Sequence, residues 1–254
     1  MGIVTNSKIN NLLSNGIHGG LYFSGYLKTK GYSSQLLEKY RKSGWLAVLS
    51  NGVMYRPGEK VSAIRAIVSY YMQVCRTCRI AAHSALEQYG YNHFVPMGKP
   101  KLMVTGISGN PPKWLSSPLF DMDIKAFSTT TFGKTIQTER KVEGVTVLVS
   151  VPEQAFLECL FLAGKEYSYM DLYYIMEQLT TLRPEIVQEL LESTKSLKVK
   201  RMFLYMAEKA GHYWYSQLDT GKIELGTSKM QLVKNGVYVP KYRITVPREL
   251  YDYE

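Results

Sequence analysis

The strongest constraint on this chain is a helix signal followed at once by a hairpin signal, within residues 33–58. Leu36, Leu37 and Tyr40 recur at the spacing of one helix face. One of the two serines just before them is expected to cap the free N–H groups of the first turn. Gly44 stands where a helix commonly ends with a left-handed residue. The pattern predicts a short helix with one apolar side.

The segment that follows, AVLSNGVMYR, places apolar residues on both sides of Asn51-Gly52. This dipeptide is the strongest short-range hairpin signal, because a type I′ turn needs positive φ at both of its central positions. We therefore expect positive φ at both residues of the pair. With a two-residue loop, the predicted facing pairs are Ser50 with Val53, Val48 with Tyr55, and Ala47 with Arg56.

Two further helices are predicted upstream, in residues 7–15 and 21–29, and Gly31 ends the second. Helices joined by a short Gly-containing turn have the layout of a helix-turn-helix, and a hairpin directly after the last helix is a wing. The sequence therefore predicts an N-terminal winged helix-turn-helix. The alternative is a small helical subdomain whose charges simply face solvent.

The side of the helix opposite the apolar one carries Gln35, Lys39 and Lys42, with Arg41 beside them. Gln can pair with adenine edges, and Lys or Arg with guanine edges or phosphate. The N–H groups at the helix start can also accept a phosphate. The predicted DNA-binding residues lie on this helix, on the segment before it and on the wing: Lys28, Lys30, Ser33, Ser34, Gln35, Lys39, Arg41, Lys42, Tyr55 and Arg56.

The formal charge of +10 is unevenly distributed along the chain. Residues 1–60 hold eight Lys or Arg against two Asp or Glu, a net +6, whereas residues 151–254 hold thirteen against fourteen, a net −1. A concentrated basic region is the electrostatic footprint of a phosphate-binding surface. Because Pro57-Gly58 marks a turn, we predict a DNA-binding domain in residues 1–60 and a larger C-terminal domain in residues 61–254.

The remainder of the chain predicts a mixed α/β fold with central strands, a helical bundle and a final hairpin. The strand candidates are residues 101–106, 124–132 and 144–150. Four helical segments are predicted to start near Pro152, Tyr169, Pro184 and Leu197. A closing hairpin is predicted around an Asn235-Gly236 turn, followed by the strand-like YRITVP.

No motif for catalysis, metal binding or a cofactor is expected. Cys75 and Cys78 have CxxC spacing and could form half of a zinc site, but no second pair completes four ligands. Asp121 and Asp123 form a DxD, as in nucleotidyltransferases, without the Gly-Ser helix start which that fold needs. Free thiols and exposed loop carboxylates are the simpler interpretations, so we expect no enzyme.

A second basic cluster lies in the segment SLKVKRMFLYMAEKAG, whose apolar residues form a stripe. One interpretation is a solvated helix face. The other is a patch that contacts a nucleic acid or a toxin-related partner. The residues of this possible antitoxin patch are Lys195, Lys198, Lys200 and Arg201.

The motifs resemble a known family over nearly the whole chain. SSQLLEKYRKSGWLAVLSNGVMYRPG is similar to the N-terminal winged helix of AbiEi antitoxins, with SGWL at residues 43–46 and YRPG at residues 55–58. AAHSALEQYGYNHFVPMG, SVPEQAFLECL and the stretch LGTSKMQLVKNGVYVPKYRITVP resemble later segments of the family. Two positions depart from the pattern, because Gln154 and Met230 stand where the family commonly has Arg.

The resemblance implies an antitoxin that is also an autoregulatory repressor. Its winged helix would bind inverted repeats of double-stranded DNA in its own promoter. Its C-terminal domain would counteract a nucleotidyltransferase-type toxin of an abortive-infection system, without a stable complex. The alternative is an RNA-processing factor that uses the winged helix for docking. No membrane partner is expected, and the start of the chain shows no secretory signal, so we expect a cytoplasmic protein.

Overall fold

A computed structural model describes residues 8–92 and 98–254. The fold is mixed α/β, as predicted. Its helices are α1 (Lys8–Asn15), α2 (Ser24–Thr29), α3 (Ser34–Lys42), α4 (Ala63–Gln73), α5 (Ala82–Glu87), α6 (Pro152–Leu162), α7 (Tyr169–Gln178), α8 (Pro184–Ser193), α9 (Leu197–Lys209) and α10 (Arg248–Asp252). Its strands are β1 (Tyr22–Phe23), β2 (Ala47–Ser50), β3 (Val53–Tyr55), β4 (Arg79–Ile80), β5 (Lys101–Thr105), β6 (Asp123–Ala126), β7 (Gln137–Val142), β8 (Val145–Ser150), β9 (Met230–Gln231), β10 (Val237–Val239) and β11 (Ile244–Val246).

The described strands form three sheets, in the orders β1-β3-β2, β6-β5-β4-β8-β7 and β10-β11-β9. In the first sheet both pairings are antiparallel. In the second, β5 and β6 run parallel, with Leu102 opposite Ile124. The strands β4 and β8 also run parallel, with Ile80 opposite Val149.

By its internal contacts the chain divides into two compact units of three segments each. Unit 1 consists of residues 1–79, 96–127 and 140–147, and unit 2 of residues 80–95, 128–139 and 148–254. Unit 1 thus extends beyond residue 60. A separate DNA-binding part confined to residues 1–60 stays a prediction.

The helical stretch in unit 2 follows the prediction closely. The helices α6, α7, α8 and α9 begin at the four expected residues, Pro152, Tyr169, Pro184 and Leu197. Proline occupies the first turn of α6 and of α8, where its missing N–H costs nothing. Serine side chains cap α7 and α9 by accepting from the N–H groups of Asp171 and Val199. Local start signals therefore located all four helices.

Several strand predictions were wrong in detail. The predicted strand over residues 124–132 is limited to β6, and β7 was not predicted at all. In unit 1, the predicted helix 21–29 begins only at Ser24, because the two residues before it form β1 and pair with β3. The first position of the predicted helix 7–15, Ser7, and His93 of the family-like segment lie outside the described residues.

The closing hairpin is also different from the prediction. The strands β9 and β10, on either side of Asn235-Gly236, do not pair with each other; β11 lies between them, parallel to β9 and antiparallel to β10. A Cβ on Gly236 would lie 2.2 Å from the carbonyl oxygen of Val246. Gly236 therefore allows the backbone to pass close to β11, and it does not form a two-residue hairpin turn.

The second basic cluster does not form the solvated helix face that was one interpretation of the sequence. The side chain of Arg201 is fully buried, and Lys200 is only 5% exposed. Arg201 donates from Nε to the carbonyl oxygen of Leu225 at 2.8 Å and from Nη1 to that of Arg243 at 3.1 Å. Lys198 donates to two carbonyl oxygens at the end of α6. Of the four residues only Lys195 is exposed. Lys198 and Arg201 donate to backbone oxygens within unit 2, and Lys200 is buried.

Arg201→Met should destabilise the protein, since it leaves the carbonyl groups of Leu225 and Arg243 without these donors in a buried site. We expect a loss of about 3 kcal/mol in the free energy of unfolding, the order of a few lost buried hydrogen bonds. Lys195→Met is the matched control and should change it by less than about 0.5 kcal/mol. Chemical denaturation of both variants measures the difference, and equal stability would contradict the structural role of Arg201.

Candidate nucleic-acid interface

Residues 8–55 enclose a small apolar core of their own within unit 1. Its buried members come from α1, α2, α3, β1 and the hairpin: Leu12, Tyr22, Leu27, Leu37, Tyr40, Leu46 and Met54. Leu36 packs against this cluster from the side and is partly buried. Two α3 residues lie fully within the core, so the rotation of α3 about its own axis is fixed. The side chains on its opposite face must therefore point outward.

Both ends of α3 have the expected caps. The hydroxyl of Ser33 accepts a hydrogen bond from the N–H of Leu36 at 3.2 Å, so Ser33 rather than Ser34 is the cap. At the other end Gly44 has a φ of +75°, and its N–H donates to the carbonyl oxygen of Arg41 at 3.1 Å. The N–H of Trp45 donates to the carbonyl oxygen of Tyr40 at 2.9 Å. This is the left-handed ending that the sequence predicted.

The hairpin is present, but its turn and register differ from the prediction. Of the two central residues only Gly52 has positive φ, at +75°, so the turn is not type I′. Ser50 faces Val53 as expected, whereas Val48 faces Met54 and Ala47 faces Tyr55. The extra residue Leu49 forms a bulge that shifts these pairs by one position. A bulge increases the right-handed twist locally, which the type I′ turn would otherwise supply.

The outward face of α3 is polar over its whole length. Gln35, Lys39 and Lys42 are exposed, as predicted, and occupy successive turns of one side. Lys42 keeps 77% of its side chain exposed. The structure adds Glu38 to this face, where it contacts both Arg41 and Lys42.

A cleft of about 230 Å³ separates α3 from the hairpin. Its rim is polar and brings together residues that are far apart in sequence: Ser24, Lys28, Ser34, Arg41, Ser50 and Asn51. Three of the predicted residues, Lys28, Ser34 and Arg41, therefore lie at this cleft rather than on the outward face. Ser24, Ser50 and Asn51 were not predicted, because only the pairing of β1 with the hairpin brings α2 beside the turn.

The remaining predicted residues lie apart from that cleft. Lys30 sits over the ring of Tyr26, with its Nζ 5.4 Å from the ring centroid. Arg56 forms an ion pair with Glu59 at 3.1 Å. Glu59 also accepts from the N–H of Gly19 at 2.7 Å. Arg56 is thus held at the base of the hairpin by a carboxylate that is itself anchored, and 42% of its side chain remains exposed.

Other candidate chemistry in the described residues has structural explanations. Asp121 of the DxD accepts from the N–H of Ala63 at 2.8 Å and so caps the start of α4. The three cysteines are free thiols, and burial raises the pKa of the Cys78 thiol to about 12. In the part of the chain that the structure describes, no group of three or more His, Cys, Asp or Glu side chains is placed to hold a metal ion.

Comparison with known proteins identifies the family. Residues 5–97 match the model of the transcriptional regulator AbiEi antitoxin N-terminal domain, and residues 99–247 match that of the transcriptional regulator, AbiEi antitoxin, of type IV toxin–antitoxin systems. The chain belongs to this family. It therefore has the role of an antitoxin and transcriptional regulator, as the sequence motifs implied.

A solved structure has the same fold. The crystal structure of the RV2827C protein from Mycobacterium tuberculosis is similar with a TM-score of 0.62 and 14% sequence identity, over 94% of this chain and 89% of that one. No curated protein gives a significant match. Across residues 8–92 and 98–254, no helix is both long and apolar enough to cross a membrane.

Gly52→Val should distort the hairpin, because Gly52 has positive φ and a Cβ there would lie 3.1 Å from the hydroxyl of Ser24. Gly58→Val is the matched control, since Gly58 has a φ of +85° with nothing within 4 Å of its Cβ position. Both variants carry backbone strain of roughly 1–2 kcal/mol, and only Gly52→Val adds a close contact. Thermal unfolding should show the larger loss for Gly52→Val; an equal or larger loss for Gly58→Val would contradict this geometry.

Proposed function

We propose that residues 8–55 act as a winged helix-turn-helix that binds double-stranded DNA through α3 and the hairpin. The observation that carries this proposal is the face formed by Gln35, Lys39 and Lys42. It is exposed on a helix whose opposite side is locked into a core. A helix presented in this way fits the major groove, where amide and cationic side chains reach base edges and phosphates.

The cleft beside α3 supplies a second set of contacts to the DNA backbone. Lys28 and Arg41 bring positive charge to its rim, and Ser34 and Asn51 bring neutral hydrogen-bonding groups. Serine, asparagine, lysine and arginine are common partners of phosphate oxygens. We assign phosphate contact to this cleft and contact with both bases and phosphates to the outward face, with Arg56 reaching the backbone from the hairpin.

The family membership supports the biological setting of this DNA binding. A transcriptional regulator acts at DNA, and we propose that this one binds inverted repeats in its own promoter. We further propose that residues outside the winged helix-turn-helix counteract a nucleotidyltransferase-type toxin without forming a stable complex with it. The protein has no catalytic role in this proposal.

Lys39→Ala combined with Lys42→Ala should weaken DNA binding without unfolding the protein, because both side chains are exposed. If both lysines neutralise phosphates, the salt dependence of binding should fall by about two units of slope. Affinity for the promoter duplex is measured by fluorescence anisotropy at several salt concentrations. The control combines Lys165→Ala and Lys234→Ala, two exposed lysines outside α3 with the same loss of charge. Equal affinity of the two double variants would overturn the assignment of α3.

The same pair of variants separates the two activities in cells. The full-length chain with Lys39→Ala and Lys42→Ala should lose repression of its promoter, because α3 no longer holds the DNA. It should still protect cells that express the cognate toxin, because the proposed neutralising residues are unchanged. A promoter–reporter assay and a growth assay measure the two outcomes. Loss of protection by a folded variant would show that α3 takes part in neutralisation.

A further inference from the structure

Glu38 places a negative charge on the face of α3 that would meet DNA. It is the single acidic residue among residues 1–58. At 3.6 residues per turn it falls midway between Gln35 and Arg41 around the helix axis. Its neighbours on the buried side are Leu37 and Tyr40. Glu38 is therefore near the centre of the outward face, with 46% of its side chain exposed.

The carboxylate of Glu38 engages two of the cations that would meet DNA. It forms an ion pair with Arg41, and its Oε1 lies 3.6 Å from the Nζ of Lys42. In the free protein it thus offsets part of the charge of this face. Close to DNA it is also repelled by phosphates. Both effects lower affinity for duplexes of any sequence.

One DNA partner can compensate a carboxylate in this position. In the major groove, cytosine presents an exocyclic amino group with no acceptor on the same base, and this group donates to Glu or Asp. Adenine also presents an amino group, but its N7 acceptor lies beside it and repels a carboxylate, and guanine and thymine present acceptor oxygens. We propose that Glu38 is a specificity-determining residue that accepts a hydrogen bond from the amino group of a cytosine in the target sequence. This inference rests on the proposed DNA binding through α3.

The geometry gives Glu38 two roles that act together. Glu38 lowers the affinity for random DNA, because phosphates repel its charge and because it forms ion pairs with Arg41 and Lys42. Against a sequence with cytosine at the right position, the new hydrogen bond offsets that cost and releases both cations to phosphates. Glu38 therefore raises the ratio of specific to random affinity rather than the affinity itself.

The test compares the full-length parent chain with Glu38→Gln, which removes the charge and adds an amide donor. Each protein is used to select duplexes from a randomised library, and affinities for the parent's selected duplex and a random duplex are then measured. Glu177→Gln is the control, since Glu177 is an exposed residue of α7 in unit 2 and the change in net charge is the same. Thermal unfolding of all three proteins should agree closely, because an exposed ion pair within one helix contributes little.

We expect Glu38→Gln to bind random duplex about threefold more tightly, in keeping with one exposed charge interaction. It should also lose most of the parent's preference for cytosine at one position, a preference worth about tenfold in affinity. The neutral amide oxygen accepts more weakly than a carboxylate, and the new NH2 group allows the side chain to pair with adenine instead. Glu177→Gln should behave as the parent does.

The outcomes distinguish this inference from the function on which it rests. If the parent selects a sequence and Glu38→Gln selects the same one with the same random affinity, Glu38 only stabilises the helix and the inference is wrong. If Glu38→Gln binds random duplex more tightly but keeps the parent's preference for cytosine, Glu38 does not recognise cytosine and the inference is wrong. If the parent binds no duplex at all, the proposed function itself fails.

Discussion

The burial of Leu37 and Tyr40 on one side of a nine-residue helix is the constraint on which the candidate interface depends. Each buried side chain of this size contributes about 1.5–3 kcal/mol, so both hold α3 in one rotation. Turning α3 by a single residue would move each side chain about 100° and bring polar groups into the core. The packing of the core therefore determines which side chains of α3 face outward: Gln35, Glu38, Lys39 and Lys42.

The three-stranded sheet next to α3 depends on a second, polar constraint. The side-chain amide of Gln73, at the end of α4, donates to the carbonyl oxygen of Leu21 at 2.7 Å and accepts from the N–H of Phe23 at 3.0 Å. These two bonds occupy the free edge of β1, whose other edge pairs with β3. Residues 8–55 are thus joined to α4 within one compact unit. This explains why the turn at Pro57-Gly58 is not the end of unit 1.

Much of this fold was predictable from local signals in the sequence. Serine caps, prolines at helix starts and the glycine after α3 located helices, and Asn51-Gly52 located the hairpin. The hairpin register was not predictable, because one extra residue, Leu49, changes the facing pairs without altering the apolar pattern. The same holds for β11, whose partners are chosen by tertiary packing rather than by the nearest turn.

Side-chain roles were predictable only where helix geometry alone decides them. The exposure of Lys39 and Lys42 follows from the apolar stripe, and Glu38 was missed although the same stripe places it outward. The burial of Arg201 has no local signal, since its acceptors belong to Leu225 and Arg243, far along the chain. The cleft beside α3 likewise required the pairing of β1 with β3.

Site-specific photo-crosslinking shows whether the outward face of α3 contacts DNA. A photoreactive residue is placed at Gln35 in one full-length protein and at Glu177, an exposed residue of α7, in another. Each is irradiated with the duplex from upstream of the protein's own gene. We expect a crosslink from position 35 that is lost when unlabelled duplex competes, and none from position 177. A crosslink from position 177 with none from position 35 would contradict the proposed contact between α3 and DNA.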